Sequence, residues 1–242
     1  MPEPTPSDDR ADAPSSRLVD DPLSTVAPAT REWFEGAFSA PTPAQAEAWA
    51  AIAERRHVLV VAPTGSGKTL AAFLSAIDRL LHEPTPEKER RTRVLYISPL
   101  KALAVDVERN LRSPLVGITQ VAARRGDTFS DVRVGVRSGD TSARDRRALV
   151  TSPPDILITT PESLFLMLTS AARDTLRGVD TVIVDEIHAV AGTKRGAHLA
   201  LSMERLDDLL DAGAAAWSAR RVAQGTAVRL PEDPADGAPI WV

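Results

Sequence analysis

Residues 62–69, APTGSGKT, decide the fold of this chain. They follow an apolar run, HVLVVA at 57–62, and lead into an amphipathic pattern over 68–82. A glycine-rich loop between a buried strand and a helix is the setting of a phosphate-binding loop. Glycine allows the positive φ that turns N–H groups towards an anion, and the helix N-terminus adds partial positive charge. The stretch predicts a nucleotide site. Because Ala62 replaces the usual first glycine, an ordinary glycine-rich turn is the alternative.

A second segment, VIVDEIH at 182–188, carries the acids that such a site needs. Its apolar residues predict a strand, and Asp185 stands at the carboxyl end, where open α/β sheets bind ligands. There Asp185 can hold Mg²⁺ opposite the hydroxyl of Thr69. Glu186 is placed to orient or deprotonate an attacking water, and Lys68 to reach the β- and γ-phosphates. The alternative is a strand that ends in solvated acids.

Strand-like and helix-like patterns alternate along most of the chain. Nearly continuous β-branched runs predict strands at 57–62, 93–98, 131–136, 155–160 and 181–185. Amphipathic stretches predict helices at 68–82, 100–111, 142–149, 161–169 and 197–210. Such alternation is typical of βαβ units, so the expected fold class is α/β, a mostly parallel sheet with helices on both faces. We expect one domain at 25–215, after a disordered leader at 1–24 and before an irregular tail at 216–242.

Composition excludes several classes of protein. The 242 residues carry a net charge of −4 and no cysteine. This balance argues against a histone-like nucleic-acid binder, and it rules out disulfide scaffolds and thiolate metal sites. No apolar run reaches the roughly 18 residues of a membrane span, and the acidic, proline-rich N-terminus differs from a secretory signal. We therefore expect a cytoplasmic protein without a membrane span.

Together these segments resemble the DEAD/DEAH-box (DExH) helicases of superfamily 2, and more specifically the large helicase-related (Lhr) family. Residues 62–69 look like motif I of that superfamily, and DEIH at 185–188 looks like its motif II. The further blocks that resemble the Lhr family, in its order, are PTPAQAEAW at 41–49, SPLKAL at 98–103, VRSGD at 136–140, ITTPESL at 158–164 and KRGAH at 194–198. The resemblance implies a single RecA-like P-loop domain with ATP and Mg²⁺ as ligands. It also implies single-stranded or tailed duplex nucleic acid as the partner, with DNA as the expected track.

The resemblance also assigns the residues of an ATP site. The expected catalytic residues are Lys68, Asp185, Glu186 and His188, and the expected metal ligands are Thr69 and Asp185. The expected ATP contacts are Gln45, Pro63, Thr64, Gly65, Ser66, Gly67, Lys68 and Thr69. The amide of Gln45 can pair with two edges of adenine, and Trp33 or Phe34 either stacks on that base or belongs to a helix core. His188 lies either at the seam between ATP site and track or as a packed ring.

A second set of residues is expected to contact the nucleic acid. These residues are Pro99, Lys101, Arg137, Gly139, Thr160, Pro161 and Glu162. The first two lie where a strand ends and a helix begins, so N–H groups and an ammonium can hold a backbone phosphate. At the second helix start, plain capping is the alternative, either by Thr160 or by a box of Thr159 with Glu162. For Arg137 the alternative is a solvated position.

Two departures from the family shape the functional expectation. The family's Ser-Ala-Thr motif is replaced by Gly225-Thr-Ala227 in the weakly matched stretch 222–228. The resemblance also implies a second RecA-like domain that supplies an arginine finger, worth about 10³–10⁵ in rate in related systems, and we expect no such domain within these 242 residues. We therefore expect the ATP-binding motor domain of a truncated 3′–5′ DNA helicase. The alternatives are a non-catalytic ATP- and nucleic-acid-binding module and a small P-loop kinase, which the DEIH segment disfavours.

Overall fold

The structure, a computed structural model, has a central sheet of four strands. It describes residues 21–63 and 65–223, with 101–105 and 212–223 as backbone only. The strands are β1 (Val94–Ile97), β2 (Val134–Arg137), β3 (Ile156–Thr159) and β4 (Thr181–Val184). They lie in the order β2-β3-β1-β4, and all three pairs are parallel. The carboxyl ends of the four strands therefore meet at one edge of the sheet.

Helices cover both faces of this sheet. They are α1 (Pro28–Ala37), α2 (Pro43–Ala53), α3 (Lys68–His82), α4 (Lys101–Arg125), α5 (Ala143–Thr151), α6 (Pro161–Leu168) and α7 (Lys194–Ala223). On β1, Val94 and Tyr96 are buried in a core shared with α1, α3 and α4. Leu95 and Ile97 point to the opposite core, shared with α6 and α7. The alternation confirms the predicted α/β class with helices on both faces.

Helix α4 continues well past its predicted end at residue 111. Pro114 lies inside it and is buried, although an interior proline costs a helix about 3 kcal/mol. Beyond the proline, Ile118 and Val121 are buried in the same core as Leu111, and each such burial contributes about 1.5–3 kcal/mol. Packing therefore outweighs the lost backbone bond. The helix ends at Arg125, and its C-cap, Gly126, has a φ of +76° that suits glycine.

The first predicted strand, residues 57–62, is not a strand in the structure. Leu59 and Val61 are 77% and 86% exposed, and no N–H of this segment donates to the backbone of another described residue. The prediction was wrong because an apolar run becomes a strand only beside a neighbour whose backbone groups it can pair with. Among the described residues β4 pairs with β1 alone, so no strand joins this segment to the sheet.

The limits of the folded part also differ from the expected ones. Leu23, assigned to the leader, is buried in the core beside α1 and α3, because its apolar side chain has a hydrophobic surface to cover. Helix α7 runs through Ala223, past the expected limit at 215. Residues 1–20 and 224–242, including most of the stretch 222–228, lie outside the described residues. Across the described part, no helix combines the length and apolarity needed to cross a membrane.

Candidate functional site

The predicted phosphate loop forms a turn just before α3. Gly65 and Gly67 have φ of +84° and +80°, in the left-handed region that residues with side chains rarely adopt. The N–H of Ser66 donates to the carbonyl of Pro63 at 3.3 Å and closes the turn. Gly67 is the N-cap of α3. The turn therefore places the predicted lysine and threonine in the first turn of a helix.

Lys68 bonds to its own loop in this structure. Its Nζ donates to the carbonyls of Ala62 at 2.5 Å and Pro63 at 3.0 Å. These are the backbone groups that precede the two glycines. The ammonium must leave them to reach a phosphate. Thr69 follows on the same helical turn, and Thr64 alone of the predicted loop contacts lies outside the described residues.

One loop atom has a bonding capacity that suits a phosphate. The hydroxyl of Ser66 is buried and has no hydrogen-bond partner within the described part of the chain. The backbone carbonyl of Ser66, by contrast, accepts a hydrogen bond from Thr42 Oγ1 at 3.1 Å. An unsatisfied buried hydroxyl costs about 1–3 kcal/mol, and a phosphate oxygen can accept its hydrogen. The loop therefore fits the polyphosphate of a nucleotide.

Gln45 ties helix α2 to this loop. Its Oε1 accepts the N–H of Thr42 at 2.9 Å, and its Nε2 donates to the carbonyl of Gly67 at 3.3 Å. The side chain is 4% exposed, and a Cβ on Gly67 would come within 2.4 Å of its Nε2. The capping box of α2 thus also holds the phosphate loop. Both ends of the amide that was expected to read adenine are engaged within the protein.

A cavity of about 310 Å³ opens beside the loop. Its lining residues are Trp33, Phe38, Gln45, Gly67, Thr69, Leu70, Phe73, Asn110, Leu111, Ser113 and Pro114. Of the two aromatic candidates for stacking, Trp33 lines the cavity, whereas Phe34 is 1% exposed and packs on Trp49. Trp33 reaches α4 because Gly117 has no Cβ, which would lie 2.1 Å from the indole nitrogen. The sequence did not predict that α4 lines this cavity, because the pattern of a helix does not show that it packs against α1.

The acidic segment places Asp185 directly after β4. Its N–H donates to the carbonyl of Ile97 at 2.9 Å, so it continues the sheet. One carboxylate oxygen accepts a bond from the hydroxyl of Tyr96, and the other accepts the N–H of Glu186 at 2.8 Å. Burial, then the bond to Asp185, raises the pKa of Tyr96. The tyrosine therefore stays protonated and orients the carboxylate, a role that the strand pattern around Tyr96 did not indicate.

Glu186 and His188 form a pair at the exposed end of this segment. Glu186 has a φ of +49°, one of the two positive values among described non-glycine residues. Its Oε2 lies 3.2 Å from Nε2 of His188, whose side chain is 79% exposed. The packed-ring alternative for His188 is thus wrong. A left-handed backbone at a non-glycine residue costs free energy and persists only where the surrounding structure holds it. Such residues are common at active sites.

The phosphate loop and the acids are not bonded to each other. Within residues 21–63 and 65–223, no hydrogen bond or ion pair joins residues 62–69 to Asp185 or Glu186. No group of three or more carboxylate or histidine ligands occurs in that part of the chain either. The oxygen atoms of Thr69 and Asp185 are of the type that Mg²⁺ prefers. A metal there needs further oxygen ligands from a nucleotide and water.

The carboxyl ends of β1 and β3 are tied together at the predicted nucleic-acid contacts. The N–H of Ser98 donates to the carbonyl of Thr159 at 3.0 Å. Thr160 caps α6, and its Oγ1 accepts the N–H of Ser163 at 3.4 Å. Of the two capping alternatives, the box with Thr159 is wrong, since that hydroxyl donates to the carbonyl of Arg137 at 2.9 Å.

Arg195 joins two of the predicted nucleic-acid segments. Its Nη2 donates to the carbonyl of Pro99 at 3.0 Å, and its Nε donates to the carboxylate of Glu162 at 2.7 Å. The bond from Arg195 lowers the pKa of Glu162. The block at 194–198 contained this arginine, but only the fold shows that α7 brings it to both segments. It also neutralises a carboxylate that would otherwise repel a phosphate.

The other predicted contacts lie along the same edge. Lys101 is the first residue of α4, where only the backbone is described. Arg137 ends β2 and is 9% exposed, so the solvated position considered for it is wrong. The carbonyl of Gly139 accepts a bond from Nη2 of Arg146 at 2.8 Å. These residues follow β1 and β2, at the edge where parallel sheets bind ligands.

Comparisons with known proteins give matches over most of the chain. The family model for DEAD/DEAH box helicases matches residues 42–227. The Lhr helicase/probable uracil glycosylase of Mycolicibacterium smegmatis is 65% identical over 213 residues, which cover 88% of this chain and 14% of that protein. The ATP-dependent helicase Lhr-Core protein 2 of Thermococcus barophilus is 48% identical over 186 residues, which cover 76% of this chain and 22% of that protein.

The solved structures agree with the sequence matches. The structure of Mycobacterium smegmatis helicase Lhr bound to ssDNA and AMP-PNP has 68% sequence identity and a TM-score of 0.75, covering 79% of this chain and 24% of that chain. The DEAD-box helicase Mss116 bound to ssRNA and UDP-BeF, at 18% identity and a TM-score of 0.64, shares the fold. The predicted resemblance to Lhr helicases is thus confirmed. This chain spans about a quarter or less of the length of each Lhr relative described here.

Proposed function

The chain belongs to the DEAD/DEAH box helicase family, and from this premise we propose that it binds ATP at residues 62–69 and a nucleic-acid strand at the carboxyl edge of the sheet. The observation that carries the proposal is the phosphate loop itself. Two left-handed glycines and the buried, unbonded hydroxyl of Ser66 stand before the N-terminus of α3. This combination is typical of polyphosphate binding.

The residues of the loop and of the acidic segment have distinct roles in ATP hydrolysis. Lys68 exchanges its two loop carbonyls for the β- and γ-phosphates, where its charge offsets the charge that develops during phosphoryl transfer. Glu186 orients the attacking water and accepts its proton. Asp185, held by Tyr96, and Thr69 supply oxygen ligands for Mg²⁺. When bound, the metal neutralises phosphate charge.

His188 connects the two proposed sites. It lies two residues after Glu186, and its Nε2 is 3.2 Å from Oε2 of that carboxylate. Its exposed side chain stands on the carboxyl side of β4, the same edge as the nucleic-acid contacts. We propose that His188 transmits the position of the strand to Glu186, which prepares the water only when nucleic acid is present.

The nucleic-acid interface reads the backbone of the strand rather than its bases. The proposed contacts lie at the carboxyl ends of three adjacent strands, β2, β3 and β1. They are Pro99, Lys101, Arg137, Gly139, Thr160, Pro161 and Glu162. Cations and helix starts in such places bind phosphates, which carry no sequence information. We propose single-stranded or tailed duplex DNA as the ligand and 3′–5′ as the direction. The M. smegmatis relative bound ssDNA in its solved structure.

Fast turnover requires a second RecA-like domain. In related phosphoryl-transfer enzymes an arginine finger contributes about 10³–10⁵ in rate, and no described guanidinium bonds to the loop or to Glu186. We propose that this domain binds ATP and DNA but hydrolyses ATP slowly without such a partner. We also propose the cytoplasm as the location of the chain.

ATP binding and turnover by the purified chain test this proposal. We expect binding that requires Mg²⁺, slow hydrolysis that single-stranded DNA accelerates, and at least about a 100-fold loss of affinity or rate in Lys68→Ala. Glu186→Gln keeps ATP binding and loses hydrolysis. Lys88→Ala, an exposed lysine in the turn before β1, is the matched control. Equal ATP affinity in Lys68→Ala and Lys88→Ala contradicts the proposed site, and binding without any turnover supports a non-catalytic module.

A further inference from the structure

Strand β2 ends in Arg137, whose side chain is largely buried. Arg137 is 9% exposed, and within the described part of the chain its guanidinium has no hydrogen bond or ion pair. Burial, and then the charge of Arg146, lowers the pKa of Arg137. A cation that is partly withdrawn from water and has no partner costs free energy. The guanidinium is therefore available to a negatively charged ligand at this edge of the sheet.

A second guanidinium stands beside the first. Arg146, on α5, donates from Nη2 to the carbonyl of Gly139 at 2.8 Å, which holds it against the turn after β2. Its Nε is buried and has no hydrogen-bond partner among the described residues. Asp140, in the same turn, is engaged in an interaction of its own. Two like charges and one unused donor therefore meet at this turn.

We propose that Arg137 and Arg146 together bind one backbone phosphate of the nucleic-acid strand. A phosphate supplies the negative charge that both arginines lack and an oxygen acceptor for the free N–H. The planar fork of arginine matches phosphate oxygens, and arginine loses less hydration than lysine on burial. The inference rests on the proposed nucleic-acid function. It adds Arg146, which no part of the sequence analysis assigned, and it gives Arg137 a specific partner.

The pair also has a signature in the stability of the unbound chain. A purely structural arginine stabilises the fold, so its removal lowers the melting temperature. An arginine whose charge is desolvated and unpaired in the free chain does the reverse. We therefore expect Arg137→Met, which preserves an apolar stem of similar length, to raise the melting temperature and to weaken DNA binding. A lower melting temperature in Arg137→Met overturns the proposal.

Binding of a fluorescein-labelled single-stranded DNA to the full chain tests the pair. Anisotropy titrations over a series of salt concentrations give the affinity and its salt slope. We expect Arg146→Gln to weaken binding about tenfold at low salt and to reduce the slope by about 0.7, the value for one phosphate on a single strand. Arg146→Lys keeps most of the slope. Arg144→Gln, an exposed arginine on the same helix, is the matched control and changes both quantities less.

The outcomes separate this inference from the function on which it rests. Equal losses in Arg146→Gln and Arg144→Gln mean that only net charge matters, and they overturn the pair. Normal binding by Arg146→Gln, together with weaker binding by Thr160→Val, overturns the pair and leaves the nucleic-acid interface intact. Absence of DNA binding by the wild-type chain overturns the proposed nucleic-acid function, and the pair with it.

Discussion

The two proposed sites of this domain are supported in different ways. The nucleic-acid edge includes the ends of β1 and β3, whose side chains are buried on both faces, such as Ile97 and Ile158, each 0% exposed. The phosphate loop follows residues 57–62, which lie outside the sheet with Leu59 and Val61 exposed. A strand ladder therefore positions one site. The other is positioned by its own glycines and by side chains of the α2 N-terminus.

The two sites therefore differ in the free energy that stabilises their local structure. Burial of one large aliphatic side chain contributes about 1.5–3 kcal/mol, whereas a single hydrogen bond contributes about 0.5–1.5 kcal/mol. The bonds from Thr42 to Ser66 and from Gln45 to Gly67 hold the loop. We therefore expect the loop to open at lower free energy than the sheet edge. Bound ATP then adds the contacts that the loop lacks.

Truncating one buried and one exposed aliphatic side chain gives the largest expected difference in the free energy of unfolding. Ile158→Ala, on β3, removes a fully buried side chain and should reduce the free energy of unfolding by about 2–5 kcal/mol. Val61→Ala removes an 86% exposed side chain and should change it by less than about 0.5 kcal/mol. Urea unfolding monitored by circular dichroism measures both. A similar loss in the two variants breaks the comparison, because residues 57–62 would then be buried in solution.

Gln45→Ala sharpens the comparison at the loop. It removes the bond to the Gly67 carbonyl and the side-chain acceptor for the N–H of Thr42. We expect about a fivefold loss of ATP affinity, about 1 kcal/mol, with unchanged affinity for single-stranded DNA. Calorimetric titration with MgATP measures the loss. Gln120→Ala, at an exposed position of α4, is the control. An equal fall in DNA affinity would show that the two sites share their support.

Arg195→Gln makes the complementary change at the sheet edge. It removes the cation that bonds to the Pro99 carbonyl and to Glu162, and it leaves the carboxylate uncompensated near the expected phosphates. We expect DNA affinity to fall about threefold to fivefold, since charged pairs at exposed positions contribute about 1 kcal/mol or less. ATP affinity should not change. Anisotropy and calorimetry on the same preparation measure the two. A loss of ATP affinity alone contradicts the assignment.

The smallest expected effect is the pH dependence of the Glu162–Arg195 pair. Because Arg195 lowers the pKa of Glu162, the pair contributes fully above the ordinary carboxyl pKa of about 4.3. Its contribution is lost as the pH falls through the lowered value. The difference in melting temperature between wild type and Arg195→Gln should therefore be constant from pH 7 to 5 and shrink below. A difference that grows in acid would reverse the sign of the coupling.

The sequence predicted those parts of the fold that are determined by residues close together in the chain. Helix α3 has the predicted bounds, 68–82, because glycines before it and its amphipathic pattern are local. Four of the five predicted strands occur within a few residues of their expected positions. The strand predicted at 57–62 is absent because strand pairing depends on a second segment of backbone, and an apolar run does not indicate whether such a segment lies beside it.

The candidate sites show the same division. The loop glycines and Asp185 follow from motif spacing, because each needs only its position after a strand. The Tyr96–Asp185 bond joins residues 89 positions apart, and Arg195 bonds to Pro99 and Glu162, which lie 96 and 33 positions away. Only packing brings those residues together. The contribution of α4 to the cavity could not be predicted from the sequence either, because it depends on Trp33 packing against Gly117, which has no side chain.

Amide hydrogen exchange, with and without ligands, tests the central claim most directly. We expect Val94–Ile97 and Ile156–Thr159 to exchange slowly in the free chain and residues 58–62 to exchange fast. MgATP should slow exchange at 58–69, and single-stranded DNA should slow it at 98–101 and 137–140 without affecting 58–62. Slow exchange at 58–62 in the free chain, or MgATP protection confined to the sheet edge, would contradict the account.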